Sequence, residues 1–202
     1  MMATTLVVAF IVFSCKEKLG EAERLNLEET PVQTVTDMFA VQTKNGVVVM
    51  RMEAPLMERY DKDSIAYECF PKGFAVYSYT DEGLLETMIF SDNARHETIK
   101  QSKEEKWEAF GNVVIDNVIK NETMETDTLY WDQTKEELFT DCYIRMYSPD
   151  GFMQGYGMRS DQKAGESIIL RPFNSYGVVV QDTTRVVIDS ANFIGPFPQK
   201  KR

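Results

Sequence analysis

The chain has 202 residues, of which 43% are apolar and 11% aromatic. This length fits one domain with room for an anchor, and the composition supplies a sizeable core and excludes wholesale disorder. With 22 basic and 32 acidic residues, the formal net charge is −10, which makes nucleic acid a poor partner. The single histidine, His96, and the three cysteines exclude histidine-rich and paired-cysteine metal sites, so no metal is predicted.

Residues 1–15 have the features of a signal peptide or a membrane anchor. They carry no charge and contain a continuous apolar run, Leu6–Phe13. Fourteen helical residues span only about 21 Å of a hydrocarbon core of about 30 Å, which suits a secretory signal better than a full membrane span. The run ends in a sequence similar to a bacterial lipobox, so Cys15 is the predicted lipidation site, with a short transmembrane anchor as the alternative. We therefore expect the protein to leave the cytoplasm and stay on a membrane, with residues 16–31 as a charged tether.

The rest of the sequence predicts strands and no long helix. Short runs rich in Val, Ile, Phe, Tyr and Thr alternate with turn signals such as Asn45-Gly46, Asp81-Glu82-Gly83 and Gly111-Asn112. A spacing of about ten residues is typical of an all-β sandwich, roll or barrel. Residues 32–195 are therefore predicted to form one all-β domain, followed by a loose tail at 196–202. The predicted strands are 35–43, 47–54, 65–70, 74–79, 84–91, 106–110, 113–119, 123–131, 136–147, 152–160, 167–171, 177–181 and 185–190.

A faint internal repeat with an offset of 29 residues runs through the second half of this domain. Its unit is a strand, a turn, a strand and a turn. Stacked units of this kind bury little alone but together form a continuous apolar interior, so we predict a domain built from repeated hairpins. The offset aligns Ile115 with Ile144, Met124 with Met153, Leu129 with Met158, and Trp131-Asp132-Gln133 with Ser160-Asp161-Gln162.

Alternation in two predicted strands marks one face of each as apolar. Val113 and Ile115 share a face, and Cys142, Ile144 and Met146 share a face of a later strand. Inward positions of this kind line either a packed core or an apolar groove, and the sequence leaves both alternatives open. If the interior is an open groove, as a family resemblance described below implies, we hypothesise that it is lined by Val113, Ile115, Leu129, Trp131, Ile144 and Met146.

Three motifs resemble chemical sites but lack essential parts. His96-Glu97-Thr98-Ile99-Lys100 begins like a zinc-protease helix without its second histidine, and its charges predict a solvated loop. Gly155-Tyr156-Gly157 resembles half of a dinucleotide fingerprint, but no helix pattern follows, so glycines that relieve a crowded or bent strand are the better account. Cys69 and Cys142 either form a disulfide outside the cytoplasm or are two small buried residues. No residue is predicted to be catalytic.

Several short segments, covering roughly residues 30–162 behind the anchor-like N-terminus, occur in an order shared with a known family. They are Gly46–Met52 with Ala54-Pro55, Tyr67–Gly73, Asp92-Asn93-Ala94, Trp107–Val114, Thr126–Asp132, Phe139-Thr140-Asp141 and Gly151–Gly157. On these segments the chain resembles the LptC family, the periplasmic component of the lipopolysaccharide-export ABC transporter, in its Bacteroidetes-like form.

The resemblance implies a fold, a cargo and two partners. The fold would be an open, twisted antiparallel β-jellyroll of the OstA/LptA-like type, with an apolar interior that holds the acyl chains of lipopolysaccharide. One end would dock on the permeases of the inner-membrane ABC transporter, and the other would continue into a periplasmic bridge protein of the same fold. The family has no catalytic residues and no cofactor, so we expect a non-enzymatic carrier that is anchored to the inner membrane and faces the periplasm.

The groove prediction can be tested at one position. If Ile115 lines a groove, Ile115→Asp should abolish lipid capture without unfolding the protein, whereas unfolding would indicate a closed core. Three other functions stay open: a non-enzymatic scaffold lipoprotein, a glycan hydrolase on a β-roll, and a polysaccharide-binding lipoprotein. Trp107 and Trp131 on an exposed sheet face would favour the last of these.

Overall fold

The computed structural model describes residues 30–178. The predicted lipidation of Cys15, the strand at 185–190 and the tail at 196–202 lie outside the described residues, as does most of the predicted tether. The described range contains twelve β-strands, all antiparallel, and no helix. The described residues therefore contain no helix that is long and apolar enough to span a membrane. The strands are β1 (Gln33–Lys44), β2 (Val47–Asp61), β3 (Ile65–Phe70), β4 (Phe74–Tyr79), β5 (Leu85–Ser91), β6 (Asn93–Ile99), β7 (Glu105–Asn117), β8 (Glu122–Asp132), β9 (Glu137–Ser148), β10 (Gly151–Asp161), β11 (Ser167–Pro172) and β12 (Tyr176–Gly177).

The strands follow one another through a single antiparallel sheet. β1 pairs with β2, and from β7 to β11 each strand pairs with the next, with β12 also beside β10. Between these parts, β3 and β4 pair with successive segments of β2, while β6 and β5 pair with successive segments of β7. β3 with β4, and β5 with β6, thus form two long strands that are interrupted at 71–73 and at Asp92. Because chain neighbours pair, the sheet forms largely from contacts that are short in sequence.

A line of irregular positions crosses this sheet and bends its strands. Gly111 and Asn112 in β7 have φ angles of 78° and 47°, and the pairing with β8 shifts between Phe110 and Val113. In β10, Gly157 has a φ of 79°, and the pairing with β9 shifts beside it. Bulges of this kind bend a strand and increase its twist, so the sheet is creased into two walls. Wall 1 comprises residues 38–53, 74–91, 113–126 and 143–156, and wall 2 comprises residues 33–36, 56–70, 93–110, 128–140 and 158–172.

The faces that the two walls turn toward each other are apolar. On wall 1, one row of directly paired residues crosses eight strands without a polar side chain. A larger buried cluster, which includes Ile115 and Leu129, joins the two walls, and a smaller one surrounds Phe70 and Phe74. Alternation along each strand turns the neighbouring side chains outward. The wall 1 row is Ala40, Met52, Val76, Ile89, Ile115, Met124, Met146 and Met153.

The turn between β10 and β11 closes one end of the space between the walls. Ala164 in this turn is completely buried within the larger cluster. The backbone carbonyls of Lys163 and Ala164 accept hydrogen bonds from Thr87 and Asn117, two buried polar side chains at the end of wall 1. The turn therefore satisfies polar groups that would otherwise be buried without partners.

The observed strands correct two sequence predictions. The solvated loop predicted at 96–100 is wrong, because His96 to Ile99 lie in β6, where Arg95 pairs with Glu97 and His96 pairs with Glu68. The turn predicted at Gly111-Asn112 is also wrong. These two residues form a bulge inside one continuous strand, so the strands predicted at 106–110 and 113–119 are both parts of β7.

The 29-residue offset aligns residues with equivalent roles in the β7–β8 and β9–β10 hairpins. Leu129 and Met158 both lie in the larger cluster. Asp132 and Asp161 each accept backbone N–H bonds from the turn that follows their strand. The Asp of each aligned Asp-Gln pair thus accepts hydrogen bonds from the turn at the end of the second strand of its hairpin.

Candidate functional site

An apolar cavity of about 50 Å³ lies between the two walls. Wall 1 contributes Met52, Phe74 and Val76, and wall 2 contributes Leu129 and Trp131. The cavity occupies the seam between the two core clusters, and Val76 packs against both of them. A cavity of about 150 Å³ holds one benzene molecule, so an acyl chain would enter this space only if the walls moved apart.

The six residues predicted to line a groove all belong to the larger cluster or pack against it. Val113, Ile115 and Ile144 have 0% exposed surface, while Met146 is partly buried against the cluster. None of these four lines the cavity; of the six, only Leu129 and Trp131 do. Four of the six predicted positions are therefore packed within or against the larger cluster, and two line the cavity.

The lining residues on wall 1 were missed by sequence reasoning. Met50 and Met52 alternate along β2, and Phe74 and Val76 alternate along β4, within strands that were predicted correctly. Alternation along β2 and β4 could therefore have identified these residues. The predicted groove residues were instead placed in β7–β9, within the internal repeat. The two halves of the sequence meet across the cavity only because the sheet is creased, which no local pattern reveals.

Trp107 forms the centre of an aromatic group on the inner face of wall 2. Its ring centroid lies 4.2 Å from that of His96, 5.7 Å from Phe74 and 6.1 Å from both Phe70 and Trp131. Trp107 and Trp131 are directly paired across β7 and β8, and both line the cavity. The two tryptophans thus line the apolar cavity, and both also line a neighbouring cleft of about 480 Å³ that contains many charged side chains.

A polar network lies along the same inner row, beside Trp107. His96 Nδ1 is 2.9 Å from Glu68 Oε2, and Nε2 is 3.6 Å from Glu105 Oε2. With its amide oriented to satisfy both neighbours, Gln133 donates to Glu105 at 3.0 Å and accepts from Trp107 Nε1 at 3.3 Å. The hydrogen bond to His96 lowers the pKa of Glu68 despite its partial burial. This network fixes the Trp107 ring at the edge of the cavity.

A polar hollow of about 360 Å³ adjoins the apolar cavity. Both spaces are lined by Met50, Ser78, Trp131 and Gln162, so they meet along these residues. The other residues that line the hollow are mostly polar and carry charges of both signs. They are Gln42, Lys44, Val49, Tyr79, Asp81, Gln133, Glu136 and Lys163. The apolar cavity and the polar hollow are therefore separated by only a few side chains.

The sheet has an open edge at each end in the part of the chain that the structure describes. β1 pairs only with β2, and β11 pairs only with β10. Apolar side chains are exposed along both edges: Phe39 is 63% exposed and Ile168 is 67% exposed. Unpaired strand edges offer backbone donors and acceptors to a further strand.

Cys69 and Cys142 are free thiols, so they do not form the disulfide that the sequence left open, and both are half-buried rather than buried. Burial raises the pKa of the Cys69 thiol, so this group is protonated and a poor nucleophile at neutral pH. Across residues 30–178, no three side chains of His, Cys, Asp or Glu come together as metal ligands.

Comparison of the sequence with protein-family models gives no match, and neither does comparison with curated proteins. A function for this chain must therefore be inferred from its own geometry. The features that bear on it are the apolar cavity, the adjoining polar hollow and the two open strand edges.

Proposed function

We propose that this chain is a lipopolysaccharide-transport protein of the LptC type, built as an open β-jellyroll. It would hold the acyl chains of lipopolysaccharide between wall 1 and wall 2 and would take part in outer-membrane biogenesis as a carrier without catalytic activity. The observation that carries the proposal is the apolar cavity between two walls of one creased antiparallel sheet.

The physical basis is the burial of hydrocarbon. Each methylene group removed from water contributes about 0.8 kcal/mol, so one acyl chain of ten methylenes would gain about 8 kcal/mol before the costs of binding. Opening the walls opposes this gain because contacts within the cluster must separate. Several methionines lie along the inner face of wall 1, among them Met50, Met52, Met124, Met146 and Met153. Their flexible side chains suit a surface that repacks around a chain.

The charge of the chain supports the same orientation of the cargo. The head groups of lipopolysaccharide are anionic, and the net charge of this protein is −10. Net charge therefore opposes binding of the head groups, and apolar contact must supply the affinity. The acyl chains would enter the interior, while the head groups stay toward water.

The open edges supply a way to join partners of the same fold. A strand added to β1 or to β11 would extend the sheet and its interior into the neighbouring protein by β-augmentation. In the proposed assembly, one edge receives cargo from the permeases of the inner-membrane ABC transporter, and the other passes it to the periplasmic bridge protein. The N-terminus, with Cys15 or a short span as anchor, would hold the domain at the inner membrane on its periplasmic side.

In-cell photo-crosslinking tests this proposal. A photoreactive residue at Met52, which lines the cavity, should give adducts with lipopolysaccharide. The same residue at Arg51 is the matched control, because Arg51 lies on the outer face of β2, with its guanidinium 4.0 Å from the Tyr77 ring centroid. Adducts at Met52 and none at Arg51 would support the proposal. A folded, abundant protein without adducts at Met52 would contradict it and favour a scaffold that binds only proteins.

A further inference from the structure

Trp131 lies where the apolar cavity meets the polar hollow. Its side chain lines both spaces, together with Met50 and Gln162. Its indole Nε1 is buried and has no hydrogen-bond partner among the residues that the structure describes. The neighbouring Trp107 differs, because its Nε1 donates to Gln133. Only one of the two paired indoles therefore has its donor satisfied within the described chain.

A buried donor without an acceptor is uncommon in proteins, because it has lost its hydrogen bond to water without replacing it. The indole N–H is a donor only, so the group that completes it must be an acceptor. Because the Trp131 side chain lines both spaces, an acceptor that reaches Nε1 when the walls move apart would lie near the boundary between apolar and polar surroundings. In a lipid whose chains fill the cavity and whose head group fills the hollow, the atoms at that boundary belong to the linkage between chain and head group.

We propose that Trp131 Nε1 donates a hydrogen bond to the carbonyl oxygen of an ester- or amide-linked acyl chain. The inference rests on the proposed function, and it adds a criterion for the cargo: an acyl linkage rather than any hydrocarbon. The chain itself packs among Met52, Val76 and Leu129. The head group lies in the hollow, where the amides of Gln42 and Gln162 can donate and accept hydrogen bonds with hydroxyl and amide groups.

Matched ester and ether lipids test this inference, because an ether analogue lacks only the carbonyl oxygens. The full-length protein, in the carbonyl-free detergent dodecyl maltoside, is mixed with equal amounts of a short-chain diester phosphatidylglycerol and its diether analogue. Native mass spectrometry then gives the ratio of the two complexes. One hydrogen bond predicts a preference for the ester of about five- to tenfold in the wild type. Trp131→Phe should reduce the ratio to near one. Tyr147→Phe, which removes a hydroxyl group from an exposed side chain outside the cavity and the hollow, should leave the ratio unchanged.

A second measurement needs no change at Trp131. The chain has two tryptophans, so its ¹⁵N spectrum contains two indole N–H signals, which Trp107→Phe assigns. The Trp131 signal should move on binding the ester lipid and move much less on binding the ether lipid. Equal binding of both lipids by the wild type, or a preference that survives in Trp131→Phe, would overturn the inference.

The outcomes separate this inference from the proposed function. If neither short-chain lipid binds but the same preparation binds lipopolysaccharide, the inference fails and the proposed function stands. If lipopolysaccharide also fails to bind, both fail. A clear preference for the ester that depends on Trp131 supports both.

Discussion

Asn117 Nδ2 donates a hydrogen bond of 3.1 Å to the backbone carbonyl of Ala164, across 47 residues of sequence. Asn117 also accepts from the backbone N–H of Lys120 at 2.9 Å through its Oδ1. One buried side chain thus joins the end of β7, the turn that follows it and the turn between β10 and β11. These bonds close the interior at the end opposite to the crease.

Asn117→Ala should therefore destabilise the domain. The substitution leaves the buried carbonyl of Ala164 without its donor and removes a second bond from the Lys120 turn. We expect a loss of about 1–3 kcal/mol in the free energy of unfolding, measured by urea denaturation. Gln101→Ala, at an exposed turn, is the control and should change stability by less than about 0.5 kcal/mol. Equal stability of the two variants would mean that the turn does not close the interior in solution.

Gly155→Ala should disrupt the packing of β11 on β10. A Cβ at this position would lie 2.5 Å from the carbonyl oxygen of Arg171 and 2.5 Å from Ile169, so the backbone of β11 would have to move. We expect a cost of about 1–3 kcal/mol from overpacking, with faster proteolysis within β11. Gly165→Ala is the matched control, because its nearest contact, at 3.3 Å, is the flexible carboxylate of Asp161. If both variants behave alike, crowding does not explain the glycine at 155.

Most of the strands could be predicted from the sequence because clear turn signals separate them. Turn signals such as Asn45-Gly46 and Asp81-Glu82-Gly83 divide the chain at the right places, and each joins strands that pair. Gly111-Asn112 was wrongly predicted to be a turn, because residues that favour positive φ angles occur in β-bulges as well as in hairpin turns. β6 was missed because its charged residues look solvated in the sequence, although pairs such as Arg95–Glu97 form along the strand.

The site could be predicted only in part. Ile115 and Ile144 were assigned to the inner face by alternation, and both are fully buried. Alternation does not distinguish a closed core from a cavity, because both produce the same alternation of apolar and polar residues along a strand. The cavity exists where Val76 on wall 1 faces Leu129 on wall 2, residues that are far apart in the chain. This contact depends on the angle of the crease, which is a property of the whole sheet.

The hydrogen bond between Glu68 and His96 should make part of the stability depend on pH. The hydrogen bond from His96 lowers the pKa of Glu68 below its ordinary value of 4.5. A carboxylate with a lowered pKa stabilises the folded state above its unfolded pKa, and this contribution is lost as the pH falls through the folded pKa. Wild type should therefore exceed Glu68→Gln in stability at pH 7, and the difference should shrink below pH 4.5.

Urea denaturation of both proteins at a series of pH values measures this difference. Glu82→Gln, in the exposed turn between β4 and β5, gives the baseline for removing one acidic charge from the chain. A difference between wild type and Glu68→Gln that stays constant from pH 7 to pH 3 would show that the pair does not contribute through the charge of Glu68.

The two sheet edges should bind different partners. Phe39→Lys on β1 and Ile168→Lys on β11 replace exposed side chains, so each should change stability by less than about 0.5 kcal/mol. A charge on an edge strand discourages the addition of another strand. Because β1 follows the predicted tether, Phe39→Lys should weaken co-purification with the transporter permeases, and Ile168→Lys should weaken co-purification with the bridge protein. Retention of both partners by both variants would contradict partner binding at these edges.

A charge at Ile115 and a charge at Met50 should have opposite consequences. Ile115 has 0% exposed surface inside the larger cluster, so Ile115→Asp buries an unpaired carboxyl group without access to water. The cost is several kcal/mol, comparable with the whole stability of a domain, and we expect this variant to be unfolded by circular dichroism. Met50 is half-buried and lines both the apolar cavity and the polar hollow. A carboxylate there can reach water, so Met50→Asp should stay folded.

The carboxylate of Met50→Asp would lie where acyl chains enter, so a bound chain would bury an unpaired charge. The free-energy cost of burying such a charge is larger than the roughly 1.4 kcal/mol that corresponds to a tenfold change in affinity. Met50→Asp should therefore reduce lipopolysaccharide capture at least tenfold. Met50→Leu keeps the apolar surface and should capture lipopolysaccharide as the wild type does. Normal capture by a folded Met50→Asp would exclude the cavity as the path of the acyl chains. A folded Ile115→Asp that fails to capture lipopolysaccharide would instead place an open groove at Ile115, because only an opening to water there would let the carboxylate remain charged.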